Sequence, residues 1–387
     1  MRKLVVSIVL FTMLMFLSHG QSVNAEELVT NSKSGILIEV ETGRILYELD
    51  AHTQFEPASM TKMMSMYLVM EAIEAGKLAW EDTINVSDHA ASLGGTQIFL
   101  EPGEELSVED LFRSVAIASA NDSVTALAEA VAGTEEEFVR LMNERAADFG
   151  LENTHFENPT GLPAEGHLSS AYDMAIISKM LLRDFPEVVE VTSIYESYVR
   201  EDSDDPFWLV NTNKLVRYVD GVDGLKTGFT QAAGYCLSAT AIRDDMRVVA
   251  VVMGAERSDI RNREVARLIE YAYLQYELTP RIAVGEIVGN SSNILARGRR
   301  FDVVTSDSVS LISRKGEELG EERSEVTIIS DLVLPINPGD EVGKLVYFYN
   351  DEVYQEVVLT VAKPVEKTSF VALFGHVLGS LLFGGSR

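Results

Sequence analysis

From Met63 to Ile73 the chain reads MMSMYLVMEAI, a run with neither Gly nor Pro and rich in helix formers. So apolar a stretch belongs inside a core, and it reads as a buried helix beginning near Ser59. Ser59 and Lys62 stand at its head. Residues three apart share a helix face, so a hydroxyl and an amine meet one turn deep at a helix N-terminus. A serine hydroxyl is a poor nucleophile until a base takes its proton. A lysine can be that base only if burial or a nearby cation lowers its pKa. The helix N-terminus adds partial positive charge and free N–H groups, which favour a developing oxyanion. Alone, Ser-x-x-Lys also arises by chance.

Two later stretches give the pair company. Ser119-Ala120-Asn121 lies 60 residues on, and Lys226-Thr227-Gly228 a further 107. The first should follow an apolar helix that begins at Ser107, with Asp110 completing an approximate capping box, and ends near Ala118. The next helix is expected over Val124 to Ala132, and Ser119 and Asn121 could merely cap it. Lys226 lies in a strand-like run, Val219 to Thr230, and could be a solvated edge charge.

The rest of the pattern places these stretches. Ser34 to Val40 and Arg44 to Leu49 alternate and flank Glu41-Thr42-Gly43, which reads as a hairpin. Thr83 to Gly103 looks irregular. Glu135 to Phe149 and the segment from Ala171 through Leu182 read as helices. Gly234 to Ile242 and Arg247 to Met253 read as strands joined at Arg243-Asp244-Asp245, and Arg257 to Tyr276 as a long helix. Together they predict an α+β domain over 26–280, an antiparallel sheet with helices on both faces. From Arg281 the character changes to Val-rich alternation separated by turns, as at Asn337-Pro338-Gly339-Asp340. Residues 281–363 read as a small all-β sandwich without a catalytic constellation.

Both ends carry apolar segments. Arg2 and Lys3 precede the run Leu4 to Leu17, and Val23-Asn24-Ala25 offers small residues for cleavage, so 1–25 reads as an export signal. In the tail, 364–387, Phe370, Leu373, Phe374, Val377, Leu378, Leu381 and Leu382 fall at helical spacing. Fourteen residues are too few for a span of about twenty, so an interfacial amphipathic helix is expected, with docking onto the β domain as the other reading. The formal charge is -28. That argues against nucleic-acid binding and means any membrane attachment must be mostly apolar. The single cysteine, Cys236, leaves no internal disulfide and reads as a small core residue. The six histidines show no ligand spacing, and no phosphate-binding loop is present, so no metal or cofactor is expected.

Ser-x-x-Lys, Ser-x-Asn and Lys-Thr-Gly, in that order, resemble the low-molecular-mass penicillin-binding proteins, specifically the D-alanyl-D-alanine carboxypeptidases. The resemblance extends from the signal to the tail and includes Asn211-Thr212-Asn213-Lys214-Leu215 and Ser170-Ala171-Tyr172-Asp173. It implies a β-lactamase/transpeptidase-like fold in which Ser59 attacks the carbonyl between two D-alanines of a peptidoglycan stem peptide. Lys62 then takes its proton, and Ser119 relays protons toward the leaving amine. Asn121 positions Lys62 and the substrate, while Lys226 and Thr227 hold the terminal carboxylate. Gly228 allows close backbone approach, and the N–H groups of Ser59 and Phe229 form the oxyanion hole. It also implies acylation by β-lactam antibiotics and a place on the outer face of a bacterial cytoplasmic membrane. Phe229 stands where many members have His, and Ala120 where some have Gly; the reacting groups are intact. A D,D-endopeptidase or transpeptidase using the same serine remains open, as does a non-catalytic, membrane-tethered wall-binding protein.

Overall fold

The computed structural model describes residues 28–201, 203 and 206–369. The expected export signal and the expected helix over 370–383 lie outside the described residues. The chain divides into two units. One comprises residues up to Val40 and Ile45–Tyr273; the other comprises Glu41–Arg44 and the chain from Leu274. The division falls after Tyr273 because Tyr276–Ile282 is already a strand of the second unit, paired with Val309–Arg314.

The first unit is built on five antiparallel strands: β1 (Ser34–Glu39), β2 (Ile45–Leu49), β3 (Val222–Thr230), β4 (Gly234–Arg243) and β5 (Met246–Ala255). Their spatial order is β2-β1-β5-β4-β3, which puts the Lys226 strand at an edge. The expected hairpin is present, with Gly35 opposite Leu49 and Gly43 at φ 70°. Strand β5 is a continuous apolar run because both its faces are covered. Ile36, Ile38, Val249, Val251 and Met253 join the main helical core on one face. Leu37, Ala250 and Val252 are buried on the other, where the last helix brings Val265, Leu268, Ile269 and Ala272.

The helical part contains α1 (Lys62–Glu74), α2 (Val108–Ala118), α3 (Asn121–Ala132), α4 (Glu135–Asp148) and α5 (Ala171–Asp184), and α6 (Ser258–Gln275) closes the unit. Ser107 caps α2 by accepting from the Asp110 N–H at 3.1 Å, and Ser170 caps α5 in the same way through Asp173. Helix α3 begins at Asn121, three residues earlier than its sequence suggests. The supposedly irregular Thr83–Gly103 stretch holds a three-residue strand, Thr83–Asn85, paired with Glu105–Ser107. Three residues are too few to display alternation.

The second unit has a five-stranded antiparallel sheet and the two-stranded pair already named, around a core that includes Val303, Val309, Leu345, Leu359 and Val361. Residues 364–369, the start of the expected anchor segment, are extended: Val365 bridges Ile336, and Lys367 bridges Ala296. No helix among the described residues is long and apolar enough to cross a membrane.

Candidate active site

Ser59 lies in a 3-10 turn, Ala58–Thr61, that leads directly into α1. Ala58 has φ 49°, a left-handed conformation that a side chain disfavours and that persists only where its surroundings enforce it. Part of that enforcement comes from Gly161. A Cβ on Gly161 would lie 1.9 Å from the Ala58 carbonyl oxygen, and its own φ is 79°. Gly228 presses from the sheet side, where a Cβ would lie 2.8 Å from the Pro57 oxygen and 3.2 Å from the Ser59 nitrogen. The backbone carrying the hydroxyl is thus held between a loop and strand β3.

Lys62 is completely buried. Its Nζ donates to Ser59 Oγ at 3.2 Å, to Asn121 Oδ1 at 2.7 Å and to the Thr160 carbonyl at 2.6 Å. Burial, reinforced by the charge of Lys226, holds its pKa well below the ordinary lysine value, against a smaller upward pull from Asp122. The orientation of Asn121 is fixed because its Nδ2 donates to the Gly94 carbonyl at 2.7 Å, leaving Oδ1 toward Lys62. The Thr160 carbonyl can only accept. A neutral amine therefore gives its two hydrogens to Asn121 and Thr160, and its lone pair faces Ser59 Oγ. That is the geometry of a general base.

Ser119 terminates α2 at φ 69° and is 5% exposed. It is the C-cap of α2 and not the N-cap of α3: that position is Ala120, with no side-chain bond, which removes the reading of Ser119 and Asn121 as caps of α3. Lys226 is completely buried on β3, so it is not a solvated edge charge. Among the described residues its Nζ reaches only the Thr227 carbonyl, at 3.2 Å. Burial, with the nearby Arg261 cation, brings its pKa down to about 7. Thr227 Oγ1 donates to Thr212 Oγ1 at 2.8 Å. Phe229 is half-exposed, its ring 4.3 Å from that of Tyr235. The three motifs therefore converge on one cleft.

Several residues of the site carry no such motif. The Thr160 carbonyl comes from a loop tied by Asn158, whose Oδ1 accepts from the N–H groups of Thr160 and Gly161. Asp122, fully buried, accepts from the amides of Ile98, Leu100 and Ser123 and so anchors the loop that borders Asn121. His167, for which the sequence offers no partner, bonds Thr61 Oγ1 through Nε2 and accepts from the Glu157 N–H at Nδ1. Burial pushes its pKa down to about 4, so it is neutral and structural. Asp173 is likewise structural, accepting from the Asn153 N–H and Thr154 Oγ1. Cys236 is buried, its thiol pKa pushed up to about 11. Among the described residues no group of three or more His, Cys, Asp or Glu side chains is arranged to hold a metal.

Comparison with known proteins bears on the same cleft. Residues 20–257 match the family of D-alanyl-D-alanine carboxypeptidases described as Peptidase S11. The chain belongs to this family. It is a serine D-Ala-D-Ala carboxypeptidase by that membership. Residues 276–367 match the penicillin-binding protein 5 C-terminal domain. The D-alanyl-D-alanine carboxypeptidase DacF of Bacillus subtilis is 42% identical over 353 residues, 91% of this chain and 90% of the relative. DacA of Escherichia coli is 30% identical, over 98% and 95% of the two chains. Penicillin binding protein 5 from Haemophilus influenzae superposes with a TM-score of 0.71 at 30% identity, covering 87% of this chain and 98% of that one. Penicillin-binding protein D2 from Listeria monocytogenes, solved in an ampicillin-bound form, covers 63% of this chain and 98% of its own, with a TM-score of 0.54 at 31% identity.

Proposed function

We propose that Ser59 cleaves the bond between the two terminal D-alanines of a peptidoglycan stem peptide, with Lys62 as its base. One arrangement carries this reading: a buried amine whose hydrogens are taken by Asn121 and Thr160 and whose lone pair meets Ser59 Oγ at 3.2 Å. Ser59 Oγ bonds to the carbonyl carbon as its proton passes to Lys62. The oxyanion that forms is held by the N–H groups of Ser59 and Phe229, donors worth roughly 2.7–4 kcal/mol each in a transition state. The C–N bond then breaks, and the departing amine takes a proton delivered through Ser119. Water hydrolyses the acyl ester, releasing the shortened peptide and restoring Ser59.

Asn121 holds both Lys62 and the substrate backbone. Lys226 and the Thr227 hydroxyl receive the terminal carboxylate, which calls for a fixed cation and hydroxyl donors. In a β-lactam the broken amide stays tethered to the acyl group, so the same attack leaves a stable adduct on Ser59.

Mass spectrometry of protein exposed to benzylpenicillin tests the nucleophile. The Ser59 peptide should gain the mass of the whole antibiotic, and Ser59→Ala should gain none. A wild-type protein that forms no adduct, or an adduct on another serine, overturns the reading. Release of D-alanine from a stem pentapeptide, beside crosslinked dimers, separates carboxypeptidase from endopeptidase or transpeptidase action.

The same proposal includes export through residues 1–25, a sandwich arrangement of the second unit's sheets, and attachment to the outer face of the cytoplasmic membrane by a helix over 370–383. Anchoring requires the mature protein to sediment with phosphatidylglycerol vesicles and a chain ending at residue 369 to stay in solution. Equal behaviour of the two removes the anchor.

A further inference from the structure

We infer that Lys214 and Arg217 form a second anion subsite beside the carboxylate pocket, on the leaving side of the scissile bond, for a leaving residue with an extra carboxylate. The inference rests on the proposed function, which puts the substrate's terminal carboxylate at Lys226 and Thr227.

The chain is strongly acidic, with 60 Asp and Glu against 32 Lys and Arg. Several of its arginines are taken up: Arg113, Arg145, Arg200, Arg243 and Arg247 each hold a carboxylate. Lys214 and Arg217 hold none among the described residues. Both are instead packed on one ring. Lys214 Nζ lies 5.2 Å and the Arg217 guanidinium 4.7 Å from the centre of Tyr195, and Arg217 also lies 5.9 Å from Tyr218. Two like charges converging on one aromatic ring repel each other, and an anion beside them relieves that repulsion. The pair is local by construction. Lys214 precedes the short helix Leu215–Tyr218, and residues three apart share its face.

The position connects this pair to the cleft. Thr212, whose hydroxyl accepts from Thr227 at 2.8 Å, is two residues before Lys214, a chain distance of at most about 7 Å. Asn213 between them donates from Nδ2 to the Gly224 carbonyl on β3 at 2.9 Å, and accepts from the Leu215 N–H at 3.1 Å, so the segment is pinned along the strand that carries Lys226. Tyr195 is held in turn, its carbonyl accepting from the Asn211 N–H at 2.8 Å. The pair thus follows Thr212 along the chain beside the Thr227 end of the strand, the side on which the proposed binding mode puts the leaving residue. A leaving group larger than alanine, as at a crosslink between wall peptides, could present its second carboxylate there.

The test compares two substrates of one shape, acetylated tripeptides ending in D-Ala-D-Glu and in D-Ala-D-Gln, which differ by a single charge on the leaving residue. Wild-type protein should favour D-Glu in kcat/KM by about fivefold to tenfold, falling toward unity in 0.5 M salt as screening grows. Lys214→Gln/Arg217→Gln should bring the ratio to about one, and Lys214→Arg/Arg217→Lys should restore it. A wild-type ratio at or below one, or a ratio unmoved in the neutral double variant, overturns the subsite. Because the readout is a ratio, a general loss of activity in the variant does not mimic it. Absence of a penicillin adduct in the wild type would instead count against the Ser59 mechanism.

Discussion

Lys62 and Lys226 are both completely buried, and desolvation depresses the pKa of both. Their pockets are otherwise unlike. Lys62 meets a hydroxyl, an amide oxygen and a carbonyl, so its hydrogens are satisfied whether or not it is charged. Among the described residues Lys226 has one acceptor, the carbonyl of the residue beside it, and a neighbouring cation in Arg261, itself brought down to about 10 by burial. The first pocket stabilises a neutral amine with a directed lone pair. The second leaves an ammonium under-satisfied, so that an incoming carboxylate gains both a charge partner and a donor. One force, loss of water, thus depresses both amines, and on the proposed roles it prepares a base in one place and an anion trap in the other. What separates them is the count of acceptors around each nitrogen.

The largest effect expected from breaking this pairing is at the base. Lys62→Gln keeps donors toward Asn121 and Thr160 but removes the lone pair, and the rate of Ser59 acylation by benzylpenicillin should fall by about 10³-fold or more. Stopped-flow or labelling kinetics read this directly; a loss under tenfold would mean the serine finds its base elsewhere. Next comes the trap. Lys226→Gln should lower kcat/KM for a peptide ending in a free carboxylate by roughly 30–150-fold, the worth of a charge-assisted hydrogen bond of about 2–3 kcal/mol. The same peptide with an amidated terminus should lose far less. Equal losses on both peptides would place Lys226 outside carboxylate recognition.

The pH profile distinguishes the two lysines by sign. kcat/KM reports the free enzyme. Lys62 must be neutral to act, so the rate rises as pH passes its depressed pKa. Lys226 must be charged to bind, and its pKa is about 7, so above that the charged fraction falls up to tenfold per pH unit and the rate falls with it. In Lys226→Arg the guanidinium stays charged, and the falling limb should move above pH 9, a gain at pH 8 of about tenfold relative to wild type when each is normalised to its own maximum. An unmoved limb would assign the alkaline loss to another group.

The groups proposed to do the chemistry carry a sequence signal because each motif is local: spacing of three on a helix or adjacency on a strand is independent of how the chain returns. What surrounds them was not. The Thr160 carbonyl on Lys62 is backbone and carries no side-chain signature; only the course of the Asn158–Gly161 loop puts it there. The late reading of α3 has a specific cause. Asn121, Asp122 and Ser123 look like capping residues, which favour positions before a helix. Here Asn121 turns to Lys62, and Ser123 accepts from Ser114 Oγ at 2.7 Å, so tertiary partners use those polar groups inside the first turn. Three strands of the second unit, Glu322–Ile328, Gly343–Tyr349 and Glu352–Val361, were legible from Val-rich alternation; the four between Tyr276 and Arg314 were not. The hairpin of Glu196–Val199 with Phe207–Val210 was not, since four residues hold too little pattern.

Asp122 gives the smallest effect and the sharpest check on the comparison. It opposes Lys226: its carboxylate draws the Lys62 pKa up while Lys226 pushes it down. Asp122→Asn removes that upward pull, so the acid limb of the acylation profile should move to lower pH, by less than about one unit for a charge that acts without contact. Lys226→Gln removes the downward push, so the same limb should move to higher pH. Asp122→Asn should also lower stability by about 1–2 kcal/mol in denaturant unfolding, because an amide cannot accept from the Ile98, Leu100 and Ser123 N–H groups with both ends. Stability loss alone moves no pKa, so the two readouts separate anchoring from electrostatics. Limbs displaced in the same direction by the two variants would show that Lys62 does not lie between opposing charges, and the contrast between the two lysine pockets would then rest on burial alone.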